Sequence, residues 1–196
     1  MTIRALKDAV RAQALAARSS IPAERRAAFA GTLASLGLVT ARRWASRPDA
    51  VVSVFWPIRD EPDTLPLLSA LAEAGFSAAL PVTPKRGAPL RFRAWRIGEP
   101  LISGRFGTSE PAAAAADLDP DLLFVPLAAF DRRGFRLGYG AGYYDGALDR
   151  LRRLKPVRAV GVGFAVQEVG AVPTEPHDQP LDALVTEHGL LEFETP

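Results

Sequence analysis

The chain has 196 residues, 24 lysines and arginines against 22 aspartates and glutamates, and a formal net charge of +2. That length suits one domain. Hydrophobic residues at 48% and charged residues at 23% are ordinary globular composition, which excludes a wholly disordered chain. Only Lys7, Lys85 and Lys155 are lysines, so the basicity is arginine, spread along the chain and offset by acids. This favours local anion sites over a broad nucleic-acid surface. Cysteine is absent, which excludes a thiol nucleophile, a disulfide framework and a thiolate metal site. No segment nears the ~20 apolar residues of a membrane span. Residues 1–8 carry Arg4, Lys7 and Asp8 and no apolar run, unlike a secretory signal.

Taken in chain order, Ile3, Leu6, Val10 and Ala14 recur at three- and four-residue steps, with Arg4, Lys7, Arg11 and Arg18 between them. They predict an amphipathic helix over 3–18 capped by Thr2. A second helix is expected after Ser20-Ile21-Pro22, ending near Gly37. Val51–Trp56 reads as a buried strand stopped by Pro57, residues 64–74 as a helix closed by Gly75, and Ser77–Val82 as a strand. Alternation over Leu90–Trp95 gives a third strand with Arg91, Arg93 and Trp95 on one face, the two arginines being offered to an anion. Residues 97–120, punctuated by glycine and proline, read as a long surface connection. Asp121–Pro126 reads as a strongly apolar buried strand, followed by a glycine-rich loop and a helix over 142–154. Strands are expected at Arg158–Phe164 and Ala183–Thr186. Strands alternating with helices predict one three-layer, Rossmann-like α/β domain over residues 1–196, with a mostly parallel sheet flanked by helices. Its ligands would meet in a cleft at the strand ends.

The most informative stretch is Phe130-Asp131-Arg132-Arg133-Gly134-Phe135-Arg136-Leu137-Gly138-Tyr139-Gly140-Ala141-Gly142-Tyr143-Tyr144-Asp145. Glycines alternate just ahead of a helix. Without Cβ atoms the backbone amides can turn inward, and the helix amino end adds free N–H groups. Such a loop is a phosphate cradle, and Arg136 adds a bidentate clamp. It is neither a P-loop nor a dinucleotide fingerprint, and on spacing alone a flexible loop with its tyrosines packed on the core competes. Asp145 in the first helical turn favours the helix dipole or holds magnesium. Asp178, beside His177 in a proline-flanked loop, is a second acid. No Gly-x-Ser-x-Gly nucleophile elbow is present.

These motifs resemble the 5-formyltetrahydrofolate cyclo-ligase (methenyltetrahydrofolate synthetase) family. The resemblance rests on Lys7-x-x-x-Arg11, on Glu61-Pro62-Asp63-Thr64, on the whole Phe130–Asp145 block, and on Gln167, Pro173, His177-Asp178 and Thr186-Glu187. It implies ATP-driven closure of 5-formyltetrahydrofolate to 5,10-methenyltetrahydrofolate, with release of ADP and phosphate. The formyl oxygen attacks the γ-phosphate, and N10 then attacks the resulting N5-iminium phosphate. Arg136, Tyr144 and Asp145 would be catalytic. ATP would lie against Lys7, Arg11, Arg136, Leu137, Gly138, Tyr139, Gly140, Ala141, Gly142, Tyr143 and Tyr144. The pterin would meet Glu61, with Phe55, Trp56, Tyr139 and Tyr143 lining its pocket. Asp145 and Asp178 would hold Mg2+. The resemblance also implies a cytoplasmic monomer with small-molecule partners and neither nucleic acid nor membrane. Tyr139 and Gly146 stand where other members carry arginine.

Phosphoryl transfer asks mainly for positioning and charge neutralisation, so a chain with two histidines and no cysteine can perform it. The competing functions are an enzyme of the same family with a shifted formylated substrate, a non-catalytic folate- or nucleotide-binding protein, and a nucleic-acid binder suggested only by the basic surplus.

Overall fold

The computed structural model describes residues 2–47, 49–84 and 88–194. The helices among them are α1 (Ile3–Ser19), α2 (Ala23–Trp44), α3 (Leu65–Glu73) and α4 (Tyr143–Leu154). The strands are β1 (Val51–Ser53), β2 (Ser77–Val82), β3 (Arg91–Ala94), β4 (Leu101–Ser103), β5 (Ser109–Pro111), β6 (Asp117–Leu118), β7 (Leu122–Pro126), β8 (Ala129–Phe130), β9 (Arg136–Leu137), β10 (Arg158–Val162), β11 (Ala183–Thr186) and β12 (Gly189–Glu192).

Eight strands make one sheet in the order β12-β11-β10-β7-β1-β2-β3-β6. β11, β10, β7, β1 and β2 run parallel, while β12 at one edge and β3 and β6 at the other join antiparallel. The α/β class and the mostly parallel sheet are therefore as expected. Parallel strands must be covered on both faces, which is why β7 is a continuous apolar run. One face packs α2 and α3: Phe29, Leu33, Leu67 and Leu71 meet Phe124, Val160 and Val162. The other packs α4, where Ala147, Leu148 and Leu151 meet Leu123, Val125 and Leu184. A small third cluster seats α1 through Ala14 on Ala129, Leu137 and Val172, over the β8–β9 hairpin.

The chain divides at the middle of this sheet. β1 leads through α3 to β2 on one side, and β7 leads through the glycine loop and α4 to β10 on the other. β1 and β7 pair only at Val52–Leu122 and Ser53–Leu123, then part. Asp121 staples their amino ends. Its N–H donates to Val51 O at 2.8 Å and its Oδ2 accepts from Val51 N at 2.9 Å. Its Oδ1 accepts from Lys155 Nζ and Arg47 Nη2, both at 2.9 Å.

Three local expectations are corrected and one further strand is added. α2 runs to Trp44 instead of stopping near Gly37. Gly37 is a packing residue: a Cβ there would lie 2.7 and 2.8 Å from the Leu67 methyls, so the missing side chain lets α3 approach. Residues 97–120 carry the β4–β5 hairpin and the edge strand β6. β12 follows β11 through a tight turn at Gly189, whose φ is +132°. In α1, Ile3 and Leu6 are exposed, while Ala14 and Arg18 are buried. The inward stripe is largely cationic because α1 covers a polar crevice more than an apolar core.

Gly37→Ala gains about 1 kcal/mol of helix propensity but forces fully buried Leu67 aside, at about 1–3 kcal/mol. A net loss of about 1 kcal/mol is expected, read from urea unfolding. A second expectation concerns pH. Burial opposes the Asp121 charge, but the Val51 amide, Lys155 and Arg47 outweigh it and hold the carboxyl below its ordinary range. Stability from such a depressed group is complete above the unfolded-state pKa of about 4 and is lost as pH falls through the folded-state value. Asp121→Asn should therefore be less stable by about 1 kcal/mol at pH 7. The difference should start to shrink in unfolding curves taken below about pH 4 and close once the pH is below the folded-state value.

Candidate active site

Open α/β sheets bind ligands where the strand order reverses, at the carboxyl ends. Here that point lies between β1 and β7, so two loops frame it: residues 54–64 after β1 and 127–142 after β7.

The second loop is built on a buried carboxylate. Asp131 has no exposure and accepts from the N–H groups of Arg133 (2.9 Å), Phe135 (3.3 Å) and Val172 (2.8 Å). The Arg133 guanidinium closes on it at 2.7 Å. The β8–β9 hairpin then carries the chain to the glycines. Gly140 and Gly142 have φ of +95° and +67°, where a side chain would be strained. The position of a Cβ on Gly140 lies 3.6 Å from the Arg11 guanidinium, so the loop and α1 touch there. Gly142 caps α4, whose first-turn amides have no partner within the helix.

From above, α1 presents Lys7, Arg11 and Arg18, four and seven residues apart and hence on one stripe. Arg11 Nε donates to Gly138 O at 2.7 Å. Lys7 Nζ donates to Asp178 Oδ2 at 2.6 Å and to Glu175 Oε2 at 2.8 Å. Burial works against the Lys7 charge, but these two carboxylates raise its pKa above the ordinary value. Buried Arg136 donates to Gln179 O at 2.6 Å and to Asp145 Oδ1 at 3.1 Å. Asp145 Oδ1 also accepts from Gln179 N at 3.0 Å. Asp145 and Asp178 thus meet the same strap, one touching Gln179 and the other preceding it.

Those two acids pass a chemical test for a hard divalent cation. Asp145 Oδ2 and Asp178 Oδ1 each lack a hydrogen-bond donor among the described residues. Exposed His177 Nε2 lies 3.8 Å from the latter. Among the described residues no group of three or more metal-type ligands converges. Two carboxylates with water and phosphate oxygens is the usual magnesium arrangement.

The other end of the crevice is Glu61. Its Oε2 accepts from Ile58 N at 2.9 Å and its Oε1 accepts from the Tyr139 hydroxyl. That hydroxyl accepts from Arg18 Nη1 at 2.6 Å, and Arg18 also grips Asp60 Oδ1 through Nη2 at 2.5 Å and Nε at 3.1 Å. Burial raises the Glu61 carboxyl, and its two donors only partly offset this. Asp60 is lowered instead: burial opposes its charge, but Ser19 and Arg18 prevail. Burial and the Glu61 charge raise the phenols of both Tyr139 and Tyr144, so each stays protonated. Tyr144 senses both Glu61 and Arg136, the two ends of the crevice.

Lys7, Arg11, Arg136, the loop from Leu137 to Tyr144, Asp145, Asp178 and Glu61 are thus tied together by these contacts beyond the carboxyl ends of β1 and β7. Tyr143 donates to Pro84 O at 3.3 Å from the α4 side. Trp56 is half-buried, edge-on to Trp95 with centroids 6.4 Å apart. Phe55 is not brought to the crevice surface; it is 3% exposed within the core under α2 and α3. Arg91 and Arg93 serve the sheet edge, where both pair with Asp117 of β6. Sequence reasoning passed over Arg18, Asp60, Asp131, Glu175 and Gln179. Arg18 carried a signal, since it continues the Lys7–Arg11 stripe; Asp131 pairs partly with its own turn through Arg133 and Phe135, while Asp60, the Glu175 carboxylate and Gln179 meet Arg18, Lys7 and Arg136 through long-range folding.

A glycine loop, a stripe of cations and two half-free carboxylates at the switch point of a parallel sheet define an α/β protein suited to an anion beside a hard cation. Residues 3–187 match the model of the 5-formyltetrahydrofolate cyclo-ligase family, and the chain belongs to that family. It is 34% identical to the 5-formyltetrahydrofolate cyclo-ligase of Escherichia coli K12 over 178 residues, covering 86% of this chain and 97% of the relative. The Mycolicibacterium smegmatis cyclo-ligase is also 34% identical, over 69% of this chain and 72% of its own. Among solved structures, the Aquifex aeolicus 5,10-methenyltetrahydrofolate synthetase superposes with a TM-score of 0.74 at 28% identity, covering 97% of this chain and 94% of that one. A Mycoplasma pneumoniae synthetase, 19% identical with a TM-score of 0.70 over 91% and 96% of the chains, shares the fold. Among the described residues no helix is long and apolar enough to cross a membrane.

Asp131→Ala strands buried N–H donors at the root of the glycine loop. A loss of about 2–4 kcal/mol is expected by urea unfolding, because each unpaired donor costs about 1–3 kcal/mol. Amides 133–142 should lose hydrogen-exchange protection before the central strands do.

Proposed function

We propose that this chain closes 5-formyltetrahydrofolate to 5,10-methenyltetrahydrofolate with ATP and Mg2+, releasing ADP and phosphate. The observation that carries the reading is the convergence of Lys7, Arg11, Arg136 and the glycine-loop amides with Asp145 and Asp178, in a chain whose relatives bear the cyclo-ligase name.

Lys7 and Arg136 are each already paired with an acid of this set, Lys7 with Asp178 and Arg136 with Asp145. A magnesium–nucleotide ligand brings charges of both signs. Asp145 and Asp178 would hold the cation while Lys7 and Arg136 would meet phosphate oxygens, so that no buried charge would be left alone. Bound magnesium would neutralise phosphate charge at Asp145 and Asp178. Arg11, tied to Gly138 O, holds the loop against α1, and the α4 amino end favours the anion. Glu61 has about four acceptor sites. Ile58 and Tyr139 take two, leaving others for the paired N–H donors of the pterin edge. With both substrates oriented, the formyl oxygen reaches the γ-phosphate and N10 attacks the activated carbon. Tyr144, kept as a neutral phenol by burial and by the Glu61 charge, would donate a hydrogen bond to a substrate.

The test is the near-ultraviolet absorbance of the methenyl product, with ATP and magnesium omitted in turn. Growth needing both is expected. Asp145→Asn should cut turnover by about 100-fold or more, a typical cost of losing one electrostatic contact to the transition state, while the chain stays folded by circular dichroism and melts at a lower temperature because buried Arg136 loses its partner charge. Full activity in that variant would remove Asp145 from the site, and absence of product from the wild-type chain would overturn the reading.

A further inference from the structure

Arg18 is 2% exposed at the end of α1, with Ile3 and Leu6 of the same helix left in water. A buried guanidinium is costly unless fully paired, and here its bonds reach two other segments. Nε and Nη2 grip Asp60 in the turn after β1, and Nη1 donates to the Tyr139 hydroxyl in the loop after β7. Arg18 has no acceptor lone pair, so the tyrosine oxygen must accept from it. The one phenolic proton is then committed to Glu61, the bond the structure shows. Arg18 therefore fixes the direction of the Tyr139–Glu61 hydrogen bond as well as its position. The Tyr139 ring stays 40% exposed while its hydroxyl is tied at the tip, with the Arg18 guanidinium 5.8 Å from the ring centre. An aromatic face held this way is a pre-ordered wall against which a planar ligand can stack at little entropic cost.

We propose that Arg18 is a positioning residue: through the Tyr139 hydroxyl and Asp60 it locks the glycine loop to the Glu61 turn, so that the nucleotide and pterin ends of the crevice are presented as one unit. It touches neither substrate. The proposal rests on the functional reading above, and it adds Arg18, to which the resemblance assigns no role.

The experiment compares the full-length wild type with Arg18→Gln, Arg18→Lys, Tyr139→Phe and Arg18→Gln/Tyr139→Phe. Methenyl formation is followed with each substrate varied in turn. Ring-13C-tyrosine spectra of the ligand-free proteins are recorded alongside, and Tyr139→Phe assigns the resonance among the three tyrosines. Arg18→Gln is expected to lower kcat/KM for 5-formyltetrahydrofolate by about 10- to 100-fold, mostly through KM, and to shift the Tyr139 resonance. Arg18→Lys should recover part of the loss, because it keeps the charge on Asp60 but lacks the fork that serves two acceptors. The double variant should fall within about threefold of Tyr139→Phe, the non-additivity of residues acting through one another. Fully additive losses would overturn the proposal, as would an Arg18→Gln protein with an unmoved Tyr139 resonance and unchanged KM. If Arg18→Gln does not fold, Arg18→Lys decides by the same two readouts. If the wild type forms no methenyl product, the functional reading fails by itself, and the tyrosine spectra still decide whether Arg18 holds Tyr139.

Discussion

The short parallel pairing of β1 with β7 is the constraint on which the rest of this molecule depends. Only two residue pairs join them before the strands part, and Asp121 fixes their register from the amino ends. A slip of one residue would turn Val52 and Leu122 out of their packing face, since strand side chains alternate. Because the chain leaves these neighbours in opposite directions, their following loops are the ones left uncovered at the sheet edge. The crevice is a consequence of strand order, and the residues that act in it are those the two loops and α1 supply.

Charge compensation organises that crevice. Lys7, Arg18 and Arg136 are held largely out of water; Lys7 and Arg18 are matched by carboxylates from distant parts of the chain, and Arg136 by Asp145 across the glycine loop. Such pairs add little net stability, because desolvation cancels much of the attraction. Their value lies in poise: the partners are present, oriented and exchangeable when a ligand of mixed charge enters. The strap through Gln179 is the economical part of the design, since its backbone serves both Arg136 and Asp145 and follows directly on Asp178. The Arg18–Tyr139–Glu61 chain completes the arrangement at the other end, where burial raises the Glu61 carboxyl and the Tyr139 phenol.

Membership of the cyclo-ligase family accounts for the glycine block and for the Lys7–Arg11 pair. It does not explain why α1 buries a basic stripe, which follows from where the helix sits. α1 packs on the β8–β9 hairpin through little more than Ala14 and Val10, so most of its inner face lies over polar loops. An apolar stripe there would cover nothing, and Ile3 and Leu6 accordingly face water.

Local features were legible in the amino-acid sequence wherever a short-range cause sufficed. Thr2 capping α1, Gly75 ending α3, the apolar β7 run and the glycines before α4 are set by neighbours a few residues apart, through hydrogen bonds, backbone freedom and patterning. The α/β class and the crowding of chemistry into Phe130–Asp145 followed from the same signals. Tertiary structure alone decided the rest. Gly37 looks like a helix end until Leu67 is placed against it, and residues 97–120 look irregular until β3 offers β6 an edge. Arg91 and Arg93 look free until Asp117 arrives, and Phe55 looks like a pocket wall until the core closes over it. The pairing of Lys7 with Asp178, and of Arg18 with Asp60 and Tyr139, spans from 42 to 171 residues of chain. Periodicity reports only what lies within a turn or two; which distant acid neutralises which buried cation is set by the packing of the sheet and its loops.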